Sequence, residues 1–326
     1  MRNRLNLMVF VLLLAAGLLL SAVFSRISAP VKSAGQNSTG RTATPQRIVC
    51  MSPSITEIVF ALGGEDRVVG VSNFCLYPPE AKKKPKLGGF LNPNFEQLIA
   101  LNPDLVVVQG ISEKITQFCQ QEDIELLRVQ VDSVESICND IEVLGRKLGC
   151  PERGKQLSFE ISGTLNDIKT RLAQCEPRKV FFSLYRTTGS MSGLTTIGAN
   201  TFVSELIGIC GGENIFNDVA IRYPQISKES LLKRVPQIII EPISTENLSP
   251  QYRKKVIGDW RDFFAGVSTE ELRIYLPASE ALLIPGPRIV QAAAMLAKMI
   301  HPEVFGEIRF DTADDPKSQS EVFGEL

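Results

Sequence analysis

Two glutamates stand at matching places in an internal repeat and are candidates to meet a partner. Glu96 and Glu229 each stand seven residues before a proline that opens a β-branched run. Matching carboxylates in two similar halves suit a two-fold symmetric partner, because each can meet the same basic site. Each is also predicted in the first turn of a helix, where a negative charge interacts favourably with the helix dipole. Both explanations can hold together, and the pair is a candidate docking feature.

A tyrosine and an arginine follow the first predicted strand of the second half. Tyr185 and Arg186 lie in the loop after the strand 179–184, and ligands collect at such strand ends in parallel sheets. Arg186 is a candidate to pair with an anionic ligand, and Tyr185 is a candidate to coordinate a ferric iron. A solvated arginine and a half-buried tyrosine are the alternatives at these two positions.

The elements that must position such residues come in two copies. The stretch 56–65 recurs as 204–213 without a gap, and both copies combine a hydroxyl residue, a glutamate, an apolar helical run and a Gly-Gly-Glu stop. Two similar halves predict two similar lobes, and the cleft between lobes is a favoured place for a ligand. Strands that alternate with helices and are mostly β-branched predict a mostly parallel sheet in each lobe. The predicted fold class is therefore α/β with two lobes, each sheet flanked by helices.

A long helix is predicted to join the lobes. Pro151 opens a helical pattern whose apolar residues follow one narrow stripe, at Leu157, Ile161, Leu165, Ile168 and Leu172. The predicted organisation is an N-terminal lobe over 47–150, a connecting helix over 151–176, a C-terminal lobe over 177–305 and a polar tail over 306–326.

Capping signals predict where individual helices begin and end. Asn94 is predicted to cap a helix over 95–101, and Asp132 to cap the last helix of the N-terminal lobe with Glu135 at its third position. Gly63 is predicted to supply a left-handed cap at the end of the first helix.

The first residues predict an exported chain. A basic start followed by an apolar run to Phe24 has the layout of a secretory signal. The run is long for a cleaved signal and short for a spanning helix, so residues 1–25 are predicted as a signal peptide or an uncleaved inner-membrane anchor. Residues 26–46 are predicted as a flexible tether. The seven cysteines include no Cys-x-x-Cys pair and their number is odd, so their pairing stays open.

Composition restricts the chemistry that the chain can perform. The 326 residues carry a net charge of −1 and a single histidine, His301. The balanced charge gives no global field for nucleic acid, and one histidine argues against zinc sites and histidine-activated nucleophiles. The segment nearest to a hydrolase elbow, 189–193, has Met191 in the place of the serine. We therefore predict no catalytic residues, no metal site, no intrinsic cofactor and no nucleic-acid partner.

Several motifs in one order resemble a known family. The first half carries RIVCMSPSITE from residue 47, GVS from 70, YPP from 77, NFE from 94 and NPDLV from 102, and the second half carries CGGENIF from 210, YPQIS from 223 and PGPRI from 285. Over about residues 46–305 the chain resembles the iron-siderophore/vitamin B12 substrate-binding proteins of ABC importers. The second-half motifs are most similar to the cobalamin-binding branch.

The resemblance implies a fold and a function. Its fold has two α/β lobes joined by one long backbone helix, in a periplasmic protein that we expect to be a monomer. It implies capture of cobalamin or a related corrinoid in the cleft, and delivery to an ABC importer permease dimer with its ATPase subunits. Glu96 and Glu229 match the glutamates that dock onto permease arginines. A haem or ferric-siderophore receptor of the same fold and an enzyme on a two-lobed scaffold are the alternatives.

The resemblance also implies which side chains meet the ligand. Three loop aromatics occupy its ligand-binding positions, Phe74 and Phe90 in the first lobe and Tyr223 in the second. Aromatic rings offer flat ligands a large contact area, although core packing is the usual role of a single phenylalanine. The three stand among Pro, Gly and Asn outside periodic runs, which favours exposure. Glu280 matches a region that contacts the polar edge of the ligand.

Overall fold

The computed structural model describes residues 43–187, 189–243, 249–267 and 272–308. The predicted signal or anchor, the tether up to residue 42 and the tail from residue 309 lie outside these ranges. Within the described ranges, no helix has both the length and the apolar character needed to cross a bilayer.

The N-terminal lobe is built on a parallel sheet. Its strands are β1 Ile48–Cys50, β2 Val68–Val71, β3 Leu105–Gln109 and β4 Glu125–Val129. They pair in the spatial order β2-β1-β3-β4, and every pairing is parallel. β1 and β3 are buried almost throughout, which is typical of strands covered by helices on both faces. The helices of this lobe are α1 Pro53–Ala61, α2 Phe95–Ala100, α3 Glu113–Gln121 and α4 Val134–Lys147.

The C-terminal lobe repeats this plan. After the connecting helix α5 Pro151–Arg171 its strands are β5 Arg178–Tyr185, β6 Thr195–Thr196, β7 Gly212–Asn214, β8 Ile238–Ile240 and β9 Arg273–Tyr275. β7, β5, β8 and β9 pair in parallel, in the same relative order as the four strands of the first lobe, and β6 adds an antiparallel edge to β5. The helices are α6 Phe202–Ile209, α7 Lys228–Arg234, α8 Pro250–Phe263, α9 Ile289–Ile300 and α10 Pro302–Phe305. The predicted fold class is confirmed.

The connecting helix α5 packs against helices of both lobes. Its predicted apolar stripe is buried, and it contacts α4 on one side and α6 and α9 on the other. The crossing with α4 is close because both helices carry glycine there; a Cβ added at Gly145 would lie 2.9 Å from the Cα of Gly154. One buried apolar cluster contains residues of both sheets and of α5, so the two lobes share a continuous core.

The capping predictions hold at two of the three positions. The Asn94 side chain accepts a hydrogen bond at the start of α2, and Gly63 after α1 has a φ of 76°, which glycine adopts without strain. The assignment of Asp132 as the cap of α4 is wrong. Ser133 caps this helix, because its hydroxyl and that of Ser136 bond each other's backbone reciprocally. The Asp132 side chain is therefore not used as a helix cap.

Candidate functional site

A cavity of about 220 Å³ lies at the seam between the two lobes. The N-terminal lobe contributes the last residue of β3 and residues that follow β1 and β4, and the C-terminal lobe contributes the start of α6 and two loops. The lining residues are Pro53, Ser54, Gln109, Val131, Asp132, Phe202, Tyr223, Leu283, Ile284 and Pro285. Ligands of open parallel sheets bind outside the carboxyl ends of the strands, and the N-terminal lobe follows that rule here. Most of this lining was not predicted, although the strand-end rule points to residues at and just beyond the carboxyl ends of β1, β3 and β4.

Three of the predicted ligand residues are exposed aromatic rings, and they come from both lobes. Phe74, Tyr185 and Tyr223 are 67%, 62% and 55% exposed, although large aromatic side chains are usually buried. Tyr223 lines the cavity directly. Its loop is fixed beside β6 by backbone hydrogen bonds from Gly198 to the Arg222 carbonyl and from Thr196 to the Pro224 carbonyl.

Phe74 stands on a loop that is held by short hydrogen bonds. The amide of Asn73 donates to the Gly88 carbonyl at 2.8 Å, and the Asn73 side chain accepts from the Gly88 amide at 3.0 Å. The Phe74 ring lies against Gly89, where an added Cβ would come within 3.1 Å of the ring. Phe90, in contrast, is partly buried against the second core cluster of the N-terminal lobe, so only part of its ring is available to a ligand.

Tyr77 is an aromatic side chain that the sequence interpretation missed. It is 41% exposed, and the guanidinium of Arg288 lies 3.9 Å from the centre of its ring. Tyr77 belongs to the N-terminal lobe and Arg288 to the C-terminal lobe, so this cation–π contact crosses the seam. Its position in the proline-rich loop after β2 is the signal that could have found it.

The structure places Arg186 inside the C-terminal lobe and not on an exposed surface, and its predicted pairing with an anionic ligand stays a prediction. The Arg186 side chain is only 2% exposed and forms ion pairs at 3.0 Å with both Glu241 and Asp259. Its guanidinium also lies 5.3 Å from the ring of Trp260. A buried guanidinium needs such carboxylate partners. Arg186 ties the end of β5, and with it the exposed Tyr185, to the core of the C-terminal lobe.

The seam carries a buried ion pair beside the cavity. The Glu57 carboxylate accepts two hydrogen bonds from Arg288, at 2.9 and 2.5 Å. Burial raises the pKa of Glu57, Arg288 opposes that increase, and the charge of Glu280 adds to it. Glu280 itself is exposed and begins a short 3-10 helix that leads into the cavity-lining residue Leu283. Glu280 is thus near the seam, while its predicted contact with a ligand stays a prediction.

A second ion pair crosses the seam at the surface. Arg222 of the C-terminal lobe and Asp132 of the N-terminal lobe lie 2.8 Å apart, with both side chains close to half exposed. Asp132 also lines the cavity.

Burial and the nearby charge of Asp132 raise the pKa of Tyr223, so its hydroxyl stays protonated at neutral pH.

The two candidate docking glutamates occupy equivalent, exposed positions. Glu96 and Glu229 are each the second residue of a short helix, α2 and α7, whose first turn is capped by Asn94 and Ser227 respectively. Hydrogen bonds from its own backbone amide and from Ser227 lower the pKa of Glu229. The local helix-terminus explanation therefore applies, and both carboxylates are also accessible to a partner.

The remaining polar and sulfur groups have structural surroundings. His301 ends α9, with Nδ1 2.9 Å from Glu303 and Nε2 3.0 Å from the Gly211 carbonyl. The described ranges contain no group of three or more His, Cys, Asp or Glu residues arranged to hold a metal ion. All seven cysteines are free thiols. Burial raises the pKa of Cys119 to about 11 and that of Cys50 and Cys210 further, so these thiols are not nucleophilic at neutral pH.

These features define a class: a two-lobed α/β protein that offers a ligand a seam cavity and exposed aromatic rings. A family model described as periplasmic binding protein matches residues 48–253. The chain belongs to that family, whose members carry ligands in the periplasm to ABC transporters and are not enzymes. The resemblance read from the motifs is confirmed.

Curated relatives and solved structures give the same result. The chain is 29% identical over 272 residues to the vitamin B12-binding protein of Photorhabdus laumondii subsp. laumondii. The aligned residues cover 79% of this chain and 89% of the relative. It is similar to the structure of the periplasmic vitamin B12 binding protein BtuF of Vibrio cholerae, with a TM-score of 0.66, 27% identity and coverage of 79% and 97% of the two chains. The periplasmic haem-binding protein RhuT from Roseiflexus sp. RS-1 in apo form matches with the same TM-score and identity, over 79% and 99%.

Proposed function

We propose that this protein is the substrate-binding protein of an ABC importer and captures cobalamin or a related corrinoid between its lobes. The observation that carries the proposal is the combination of a seam cavity with exposed aromatic rings from both lobes, Phe74, Tyr77 and Tyr223. Such rings contribute large contact area to a flat macrocycle at little entropic cost. The vitamin B12-binding relatives named above support the choice of ligand.

The size of the cavity indicates how a macrocycle would be held. At about 220 Å³ the cavity is smaller than a pocket that encloses a drug-sized ligand, which spans roughly 300–1,000 Å³. A corrinoid would therefore lie across the mouth, in contact with the exposed rings, and place only one face or substituent in the cavity. The polar side chains of Ser54, Gln109, Asp132 and Tyr223 line that face, and Arg222 pairs with Asp132.

Haem is the second candidate ligand, supported by the similarity to RhuT. Tyr185 is 62% exposed, and a tyrosinate can coordinate ferric haem iron. Arg186, the cationic partner that the sequence offered for an anionic ligand, is buried and paired with two carboxylates of its own lobe. The corrinoid assignment is therefore the better supported of the two.

A titration against a panel of ligands tests the assignment. Purified protein would be titrated with cyanocobalamin, cobinamide, haemin and a ferric hydroxamate siderophore, with the absorbance of each ligand and calorimetry as readouts. Trp260 is fully buried among the aromatic residues of the C-terminal lobe, so quenching of its fluorescence is a poor reporter. We expect sub-micromolar binding of a corrinoid. Binding of haemin alone would transfer the assignment to haem, and no binding by any corrinoid would reject it.

We also propose that Glu96 and Glu229 dock the protein onto its permease. Their exposure and their equivalent places in the two lobes suit a symmetric partner. The Glu96→Ala/Glu229→Ala double variant should keep its ligand affinity and lose stimulation of the reconstituted transporter ATPase. Glu113→Ala is the matched control, because Glu113 is an exposed first-turn glutamate of α3 outside the repeat position. A fall in ligand affinity of the double variant would instead assign these carboxylates to the binding site.

Export completes the proposal. Residues 1–25 would direct the chain to the periplasm as a cleaved signal or remain as an inner-membrane anchor, with the folded protein acting as a monomer. Fractionation of cells followed by N-terminal sequencing distinguishes the two forms, and light scattering gives the oligomeric state. Recovery of the intact chain from the cytoplasm would contradict export.

A further inference from the structure

The glutamate of the duplicated helix motif crosses to the opposite lobe in both copies. Glu57 lies in α1 of the N-terminal lobe and bonds Arg288, the residue before α9 of the C-terminal lobe. Glu205 lies in α6 of the C-terminal lobe, and its Oε2 accepts a hydrogen bond at 2.8 Å from the amide of Val134, the first residue of α4. Each glutamate therefore reaches the N-terminal end of the last long helix of the other lobe.

The first crossing adjoins one half of the cavity lining. Pro53 and Ser54 line the cavity and lie one helical turn before Glu57 on α1. On the opposite lobe Pro285 lines the cavity three residues before Arg288. The Glu57–Arg288 pair therefore joins the two segments that form this half of the lining.

The second crossing adjoins the other half in the same way. Phe202 lines the cavity one turn before Glu205 on α6. Across the seam, Asp132 lines the cavity two residues before Val134. The two glutamates of the sequence repeat thus form two equivalent contacts between the lobes, and each contact adjoins a different half of the cavity lining.

The chemistry of both contacts makes them strong. Glu57 is 2% exposed and Arg288 is 13% exposed, and the guanidinium meets the carboxylate with two donors, which is the strong form of an ion pair. The amide of Val134 is one of the first-turn donors that lack a partner within the helix, and a carboxylate at this end interacts favourably with the helix dipole. Both contacts are charge-assisted and partly or fully withdrawn from water.

We propose that Glu57 and Glu205 are paired positioning residues that hold the two halves of the cavity lining at one separation in the ligand-free protein. The ligand then meets a preformed seat and does not have to bring the lobes together. Preorganisation of this kind improves affinity because the ordering cost is met before binding. The link to affinity rests on the proposed function, whereas the effect on lobe separation does not.

Distances between the lobes in solution test the proposal directly. Spin labels would be attached through ketone-bearing residues introduced at Lys114 of α3 and Lys254 of α8, which are exposed, one in each lobe. This chemistry avoids the seven native cysteines. Double electron–electron resonance on the full chain without ligand would compare wild type with the Glu57→Ala/Glu205→Ala variant, and cyanocobalamin affinity would be measured on the same samples.

Two further variants supply controls from within the same repeat. Glu65 and Glu213 are the exposed glutamates of the two Gly-Gly-Glu stops, so the Glu65→Ala/Glu213→Ala variant removes the same charge without touching the seam. Glu205→Gln keeps an oxygen that accepts from Val134, whereas Glu205→Ala does not. Glu205→Gln should therefore stay closer to wild type than Glu205→Ala in both measurements.

We expect a narrow distance distribution for wild type and for both controls. The double alanine variant should give a broadened distribution, with affinity about tenfold weaker if only about one molecule in ten retains the binding-competent separation. Unchanged distances, or broadened distances with unchanged affinity, would overturn the proposal. If the double variant does not fold, the distance distributions of Glu205→Ala and Glu205→Gln are compared instead, and equal distributions would overturn the proposal. If wild type binds no corrinoid, the proposed function fails while the distances still decide whether these glutamates hold the lobes.

Discussion

Among the described residues, two ion pairs that cross the seam have similar lengths and different surroundings. Arg288 and Glu57 approach to 2.5 Å with side chains 13% and 2% exposed, whereas Arg222 and Asp132 lie 2.8 Å apart and are 48% and 42% exposed. An exposed pair contributes little because water and salt screen it. A buried pair is costly to break, since it leaves a charge without water or a partner. Burial, and not bond length, therefore separates a fixed connection from one that opens easily.

The difference fits the positions of the two pairs. Glu57 and Arg288 join segments that carry cavity-lining residues, and Arg288 also lies against Tyr77. Asp132 lines the cavity itself, so a ligand that enters there can displace the exposed Arg222 from it at small cost. The following predictions test this contrast, from the largest expected effect to the smallest.

Replacement of Arg288 by alanine should be the most damaging change. It leaves the buried Glu57 without its partner, and the free energy of unfolding should fall by roughly 3–5 kcal/mol. Because the pKa of Glu57 is already raised by burial, loss of Arg288 would raise it further. The deficit should therefore be greatest at neutral pH and shrink in acid, where Glu57 is protonated. Urea unfolding at several pH values measures it, with Arg288→Lys as the charge-preserving control; a loss below about 1 kcal/mol would contradict burial as the deciding factor.

Replacement of Tyr223 by alanine should weaken ligand binding without a comparable loss of stability. The ring is 55% exposed and lines the cavity, so its loss should cost roughly 1–3 kcal/mol of binding free energy if it is an anchor. Phe159 is the control, because it is 79% exposed on α5 and does not line the cavity. Phe90→Ala should also lower affinity, but with a loss of stability, because part of that ring packs in the core. An unchanged dissociation constant for Tyr223→Ala in calorimetry would remove Tyr223 from the site.

Replacement of Asp132 by asparagine should change stability by less than about 1 kcal/mol, because the pair with Arg222 is exposed. The difference from wild type should decline further as salt is added. A double-mutant cycle with Arg222→Gln isolates the pairwise energy. A coupling as large as that of the buried pair would show that exposure is not what distinguishes the two.

A separate effect, which depends on pH, is expected from Asp140, whose carboxylate accepts a hydrogen bond at 2.7 Å from the amide of Gln130. Burial raises its pKa from 3.8 to about 6, with the charge of Asp132 adding to the increase. The folded state therefore binds a proton more tightly than the unfolded state, so this contribution to stability is present in acid and is lost as the pH rises through about 6. Asp140→Asn should flatten this part of the stability profile while keeping an oxygen for Gln130. An identical pH profile for both proteins would contradict the assignment.

Features that depend on neighbours in sequence were predicted well. The parallel sheets, the buried stripe of α5 and the Asn94 cap follow from hydrophobic periodicity and capping chemistry, which act over one or two turns. The cap of α4 was missed because Asp132 and Ser133 are both good capping residues. The choice between them was made by distant partners, since Asp132 pairs with Arg222 across the seam.

The side chains of the candidate site also divide into those that the sequence predicted and those whose surroundings depend on distant residues. The resemblance to the family picked out Phe74 and Tyr223, and their place among Pro, Gly and Asn outside periodic runs favoured exposure. The sequence could not foresee that Arg186 is buried between Glu241 and Asp259, as the order of residues does not show which loop closes over which strand.

The sequence by itself determined two similar α/β halves, a stiff helix between them and exposed rings in their loops, because these follow from local propensity and from the repeat. Only the tertiary structure decided what the repeated glutamates do. Glu57 meets Arg288 across 231 residues of chain, and such a pairing depends on how the two folded lobes pack. The residues next to a carboxylate in the sequence do not show which distant side chain will be packed against it in the folded protein.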